Sequence, residues 1–193
     1  MEIITKEQFF ANKQKYLQLI REGAIFVYPT DTVYGIGCDA QNEEAVAMIS
    51  RLKHRPATSQ FSVIVPSKQW VRDNCMLSKK AREWIVKLPG PYTLILPRKE
   101  TGQKEADQTT SKAQQTVGVR IPNHWISAIV QELSSCIITT SVNRSGSPPI
   151  TNINAIPLRM RKDITFCIDE GTLQGSPSML VYLTNEDSWV KKR

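Results

Sequence analysis

Apolar side chains recur along this chain with two periods, and the switches between them lay out the elements. Phe9, Phe10, Tyr16, Leu17 and Ile20 return at approximately helical spacing and stop at Gly23, so residues 5–22 are predicted as one amphipathic helix with a glycine C-cap. The run Ala24 to Tyr28 has the length and composition of a buried strand, and Pro29 ends its ladder because proline offers no donor. Asn42 caps a helix over Glu43 to Leu52, with acids in its first turn and Arg51 and Lys53 near its end, as the helix dipole favours. Further strands are predicted at Phe61 to Val65, Thr93 to Leu96, Val117 to Ile121, Cys136 to Thr140, Thr165 to Ile168 and Met179 to Leu183. Helices are predicted over Ser78 to Lys87 and His124 to Leu133, and a short one over Asn154 to Met160 that Pro157 limits. Residues 99–116 carry no aromatic or large aliphatic side chain and read as a mobile surface loop. Strands and helices alternate throughout, which predicts an α/β fold around a central mixed sheet. With no repeat, low-complexity tract or linker, residues 1–193 read as a single domain.

Charge adds a partner class to this picture. Lys and Arg number 25 against 18 acidic residues, a net charge of +7, which favours polyanionic or phosphorylated partners. The excess lies in short clusters, Arg51 to Arg55, Arg159 to Lys162 and Lys191 to Arg193, suited to a basic concave face and unlike a basic disordered arm. The cysteines at 38, 75, 136 and 167 are widely spaced, and His54 and His124 are the only histidines, so neither a structural zinc site nor a disulfide framework is expected. Apolar neighbours make Cys136 and Cys167 small buried thiols. No signal core and no apolar run near the ~20 residues of a membrane span are present, so no membrane partner and a cytoplasmic location are expected.

Candidate chemistry concentrates where strands end. Tyr28-Pro29-Thr30-Asp31-Thr32-Val33-Tyr34-Gly35-Ile36-Gly37 places hydroxyls, a carboxylate and glycines behind an apolar run, where open α/β sheets put their ligand crevice; the alternative is a polar turn with a helix cap. The P-loop pattern is absent. Gly35-x-Gly37-x-x-Ala40 formally meets a relaxed dinucleotide fingerprint, but six residues separate its first glycine from the strand end, where the fingerprint needs the glycines at the turn itself. Lys53-His54-Arg55-Pro56 is either a cationic helix cap or a phosphate site, because Pro56 biases Arg55 toward extended geometry and so presents it with Lys53 to an anion. Thr139-Thr140-Ser141-Val142-Asn143-Arg144-Ser145-Gly146 repeats the strand-end arrangement; it is an ordinary loop or a set of uncharged donors and acceptors for a ribose, a base edge or phosphate oxygens. Pro89-Gly90-Pro91-Tyr92-Thr93 shapes a turn. Arg120 stands alone in an apolar strand and must pair with a protein carboxylate or await an anionic substrate. No catalytic base or nucleophile is evident, which favours chemistry by positioning and charge neutralisation.

Taken together, Tyr28-Pro29-Thr30-Asp31-Thr32-Val33-Tyr34-Gly35, Lys53-x-Arg55-Pro56, Pro89-Gly90-Pro91-Tyr92-Thr93, Val117-x-Val119-Arg120-Ile121-Pro122 and Ser141-x-Asn143-x-Ser145-Gly146 resemble, in order and spacing, the YrdC-like family. The resemblance runs from about Ile20 to the end, matching the short single-domain branch. It implies an open twisted mixed sheet flanked by helices, and L-threonylcarbamoyladenylate synthase activity: L-threonine, bicarbonate and ATP give threonylcarbamoyl-AMP and pyrophosphate. The product feeds threonylcarbamoyladenosine formation on tRNA through downstream transfer proteins, and Mg²⁺ is held mainly by the nucleotide. By resemblance, Lys53, Arg55, Ser141 and Asn143 are the catalytic, nucleotide-handling set, with Ser59 and Thr116 as further ATP contacts. Thr32, Arg120, Thr140 and Ser178 are the threonine contacts, Arg120 pairing with the carboxylate. The chain departs from longer members at Ile64, where they carry histidine, at Met179, where they carry threonine, and at Val142, which keeps both polar neighbours. Asp31 receives no role.

Two other readings compete with the synthase. One is an RNA-binding module that uses the basic face without turnover, motivated by the net charge and by related domains. The other is a paralogue acting on a different acyl donor, such as carbamoyl phosphate.

Overall fold

In the central strands, apolar residues that face one side alternate with residues that face the other, and the composition of that second side decides where a cavity forms. The computed structural model describes residues 1–56, 60–99, 115–143, 148–184 and 189–191. Its strands are β1 (Glu2–Thr5), β2 (Phe26–Tyr28), β3 (Gly35–Gly37), β4 (Ser62–Ile64), β5 (Tyr92–Pro97), β6 (Thr116–Arg120), β7 (Ile137–Ser141), β8 (Phe166–Asp169), β9 (Met179–Tyr182) and β10 (Trp189–Lys191). Its helices are α1 (Lys6–Ala11), α2 (Lys13–Arg21), α3 (Glu43–Leu52), α4 (Lys68–Asn74), α5 (Lys79–Val86), α6 (Ile126–Leu133) and α7 (Leu158–Arg161). Among the described residues the strands form one sheet in the order β1-β8-β2-β3-β7-β4-β6-β5-β9-β10. Pairs β1–β8, β8–β2, β4–β6 and β5–β9 are parallel and the others antiparallel, so the sheet is mixed, as expected.

Each face has its own core. Val27, Ile36, Val63, Leu94, Val119 and Ile138 point to the face covered by α3, α4, α5 and α7, through Ile49, Val71, Ile85 and Met160. Phe26, Tyr28, Phe166 and Ile168 point to the other, against Phe9, Tyr16, Leu17 and Ile20 of α1 and α2 and Ile126, Ile129 and Val130 of α6. Adjacent residues such as Phe26 and Val27, or Ile137 and Ile138, thus serve opposite cores. The four cysteines are free and buried. Burial pushes the Cys75 and Cys167 thiols up to about 12, which leaves them protonated and unreactive. Among the described residues no helix is long and apolar enough to cross a membrane.

Several elements differ from the sequence expectation. The single helix over 5–22 is two, because Asn12 adopts φ −120° and ψ 31° while its side-chain amide donates to the Gln8 carbonyl at 3.2 Å, drawing the backbone out of register. Thr5 caps the first of them in a capping box with Gln8. β1 escapes the pattern because only Ile4 of its four residues is buried, and α4 because it buries only Val71. The helix over Asn154 to Met160 is a 3-10 turn at Ile153–Ala155 followed by α7, with Pro157 between them. Most of the 99–116 loop lies outside the described residues, while Thr116 belongs to β6.

β3 is a strand that two glycines disguise. A Cβ on Gly37 would stand 2.1 Å from the Ile138 carbonyl oxygen, so the glycine lets β3 lie against β7. Tyr34, just before β3, ties this turn to the end of β8: its hydroxyl donates to the Gly171 carbonyl at 2.8 Å and accepts the Glu170 N–H at 3.0 Å. Burial pushes the Tyr34 phenol up to about 12.

Gly37→Ala is expected to lower the unfolding free energy in urea by about 2 kcal/mol or more, since backbone rather than a flexible side chain must yield. The folded Tyr34 phenol keeps its proton to about 12 against 10.0 for a free tyrosine, so its contribution is complete below about pH 10 and is lost between there and about pH 12. Tyr34→Phe is therefore expected to cost about 1–2 kcal/mol at neutral pH, with its melting curve converging on that of the unmodified protein across that alkaline window.

Candidate functional site

The two faces part company beyond β7. On the α3 side, β4, β6, β5 and β7 present Val63, Val119, Leu94 and Ile138. The intervening positions Ser62, Arg120, Thr93 and Thr139 are polar, and they line a cavity of about 590 Å³ together with Thr32, Arg55, Thr140, Ser141, Asn143, Ser178 and Lys191. Gly118 lies on the same side: a Cβ there would meet Ser62 Oγ at 2.7 Å. A strand with one apolar and one small or polar face has no helix to bury on the second, and the space becomes a binding cleft.

At one end stands Arg120, the last residue of β6. It is buried, and its Nη2 donates to Asp31 Oδ1 at 3.0 Å and to Thr32 Oγ1 at 3.2 Å. Asp31 Oδ2 accepts the Asn123 N–H at 2.9 Å, so both carboxylate oxygens are engaged. Burial pushes the guanidinium below its ordinary value, and Asp31 and then Tyr28 act against that shift. Arg120 Nε is buried without a hydrogen-bond partner. A buried donor left open beside a cavity is suited to an anionic ligand. Next to it, Thr93 Oγ1 and Ser178 Oγ share a hydrogen bond of 2.7 Å.

The other end is the turn that follows β7. Lys53 closes α3 and is buried, and its Nζ donates to Ser141 O at 2.7 Å, Asn143 O at 2.5 Å and Asn143 Oδ1 at 2.6 Å. Ser141 Oγ donates to Asn143 Oδ1 at 2.6 Å. A lysine sealed in this way acts as a clamp that fixes three oxygens of one turn. Pro56 follows Arg55, whose guanidinium lies 5.8 Å from the Phe61 ring centroid and borders the cavity. With β4 between β6 and β7, Arg120 and the turn are two strand spacings apart across the sheet, about 10 Å, and because Arg120 is level with Ile137 the turn at Ser141 lies roughly a further 13 Å along the strand.

The residues singled out from the sequence fall into three groups. Arg55, Ser141, Asn143, Thr32, Arg120, Thr140 and Ser178 are brought to the cavity. Lys53 stands behind its wall rather than in it, turned inward to the turn oxygens. Thr116 is not brought there; its carbonyl accepts from Gln60 Nε2 at 3.3 Å, and Ser59 lies outside the described residues. Ile64, where a histidine was noted as missing, is fully buried in the α1–α2–α6 core, and Met179 opens β9. Sequence reasoning missed Thr93, Ser62 and Lys191, and left Asp31 without a role. Alternation along β5, with Thr93 polar before the buried Leu94, was the available signal for the first.

The lining shows Arg55, Arg120 and Lys191 and no carboxylate among the described residues. No group of three or more His, Cys, Asp or Glu among those residues is placed to hold a metal ion.

Comparison with known proteins agrees with this architecture. Residues 18–192 match the model of the Sua5_yciO_yrdC family, described as telomere recombination. A threonylcarbamoyl-AMP synthase of Idiomarina loihiensis is 30% identical over 156 residues, covering 77% of this chain and 80% of that protein. The crystal structure of P. abyssi Sua5 complexed with L-threonine shares the fold with a TM-score of 0.81 and 29% identity over 98% of this chain, and the chain spans 56% of that longer one. E. coli YciO, at 24% identity, is alike in fold, with a TM-score of 0.80 over 100% of this chain and 93% of its own. With its mixed sheet, its half-covered face and a match along residues 18–192, this chain belongs to the Sua5/YciO/YrdC family.

Proposed function

We propose that the chain is an L-threonylcarbamoyladenylate synthase, a nucleotidyltransferase acting as a single domain over residues 1–193 in the cytoplasm. The observation that carries this reading is the two-ended cavity: a buried arginine with an open donor at one end and a hydroxyl–amide turn clamped by a buried lysine at the other. Arg120 takes the carboxylate of L-threonine, with Thr32, Thr140 and Ser178 around the rest of the amino acid. Arg55, Ser141 and Asn143 handle the triphosphate of ATP, with Ser59 and Thr116 as outer contacts. Lys53 holds the 141–143 turn in shape and places its positive charge behind it.

The chemistry follows from this division. The threonine amine captures bicarbonate as a carbamate with loss of water. A carbamate oxygen then attacks the α-phosphorus in line, forming the new P–O bond as the bond to pyrophosphate breaks. Held at a fixed separation, the two substrates react as one, and Arg55 with the turn donors meets the charge that grows on the phosphates. Mg²⁺, held mainly by the nucleotide, would offset phosphate charge beside Arg55; the cavity lining itself presents no carboxylate among the described residues. The labile product passes to downstream transfer proteins that modify tRNA.

Pyrophosphate release is expected only when threonine, bicarbonate and ATP are all present, with carbamoyl phosphate unable to replace bicarbonate. Release without threonine, or RNA binding with no product, overturns the reading. Lys53→Met is expected to lower kcat by on the order of 10²-fold, while threonine protection against thermal unfolding is retained because Arg120 and Thr32 are untouched.

A further inference from the structure

Thr32 sits in a chain of hydrogen bonds whose direction is fixed by the groups at its two ends. Thr30 Oγ1 lies 2.7 Å from the Val33 carbonyl oxygen, which can only accept, so the single Thr30 hydroxyl proton is spent there. Thr30 Oγ1 also receives the Thr32 N–H at 3.1 Å and lies 2.9 Å from Thr32 Oγ1. Having no proton left, Thr30 must accept in that last contact, and Thr32 must donate. Thr32 Oγ1 in turn accepts from Arg120 Nη2 at 3.2 Å, since a guanidinium only donates. The hydrogen positions are assigned by this count, and it closes: Arg120 to Thr32 to Thr30 to the Val33 carbonyl. Thr30 is then saturated, with one bond donated and two accepted. Thr32, which lines the cavity, retains one lone pair and has no proton to offer.

From this chain of bonds we infer that Thr30 is a positioning residue that sets substrate selectivity: by taking the Thr32 proton, it makes Thr32 an obligate acceptor that demands a hydrogen-bond donor from the amino acid. The inference rests on the proposed threonine site. There the carboxylate is held by Arg120, and the reacting amine faces Arg55 and Ser141 across the cavity. The group left beside Thr32 is the β-hydroxyl. An amino acid with the same outline but no proton at that position leaves the Thr32 lone pair buried and unmet. It is also rejected if it brings only another acceptor. Thr30 itself is buried and does not border the cavity, so its effect on a ligand passes through Thr32.

The test compares kcat/KM for L-threonine, L-2-aminobutyrate and its 3-fluoro derivative, whose fluorine can accept but not donate. The unmodified protein is expected to disfavour both analogues by about 10-fold or more, fluorine giving no recovery. Recovery with the fluoro compound overturns the inference without needing any variant. Thr30→Val frees the Thr32 proton and is expected to shrink the threonine preference over the fluoro analogue by about 10-fold, with KM for ATP changed less than about 3-fold. Thr30→Ser, which keeps the hydroxyl, restores the preference. A Thr30→Val protein that turns over with undiminished preference contradicts the inference, as does a Thr30→Ser protein that loses it. Arg120→Met separates the two levels: unchanged threonine KM there means the threonine site is wrong, whereas a lost site with Thr30→Val neutral means only the inference fails.

Discussion

A guanidinium cannot stay buried without neutralisation, and the way Arg120 meets that requirement organises the site. Asp31 supplies the counter-charge from behind, held in place by the Asn123 N–H, and engages one nitrogen of the fork. The Nε edge stays open. Burial makes that edge costly to leave unmet, so a ligand carboxylate gains more there than it would at an exposed arginine. The same pair fixes the turn between β2 and β3, because Thr32 is bound to Arg120 and Asp31 lies beside it in the chain. Another crossing segment adds to the constraint: a Cβ on Gly175 would stand 1.9 Å from the Thr32 carbonyl oxygen, so the stretch leading to Ser178 passes directly over that turn.

The sheet makes this arrangement affordable in energetic terms. One face is packed by α3, α4, α5 and α7 along the central strands, and the other is packed by α1, α2 and α6 only as far as β7 and β4. Stability comes from the covered regions, which leaves the remaining half-face to carry hydroxyls, glycine and arginine. Lys53 joins the two parts. It ends a helix whose Ile49 is in the core, and its ammonium reaches the turn that borders the cavity, so core packing is transmitted to the position of Ser141 and Asn143.

Most of the α/β pattern is legible in the sequence because amphipathic runs such as Glu43 to Leu52 carry a clear period and strands such as Ala24 to Tyr28 are apolar throughout. What escaped was short or compositionally disguised. Gly35–Gly37 meets a dinucleotide fingerprint only formally, too far from the strand end to serve as one, and is itself a strand hidden by its glycines, of which Gly37 is required by the close approach of the Ile138 carbonyl. Asn12 broke a helix through a side-chain bond that no periodicity records. At the site, polar residues at strand ends were visible as candidates, and Arg120 was visible as a buried charge in want of a partner. Its partner was not: Asp31 and Arg120 are far apart in sequence, and only the fold brings them to 3.0 Å. The direction in which Lys53 turns was hidden for the same reason, because a cationic helix end reads alike whether it faces solvent, phosphate or a buried turn.

The central claim is that the two ends of this cavity join threonine and a nucleotide through a carbamate. Mass spectrometry of the products formed by the purified protein from ¹³C-bicarbonate, L-threonine and ATP tests it most directly. The account predicts threonylcarbamoyl-AMP carrying one ¹³C, formed together with pyrophosphate. An ATP-derived product without the label, or none from active folded protein, contradicts it.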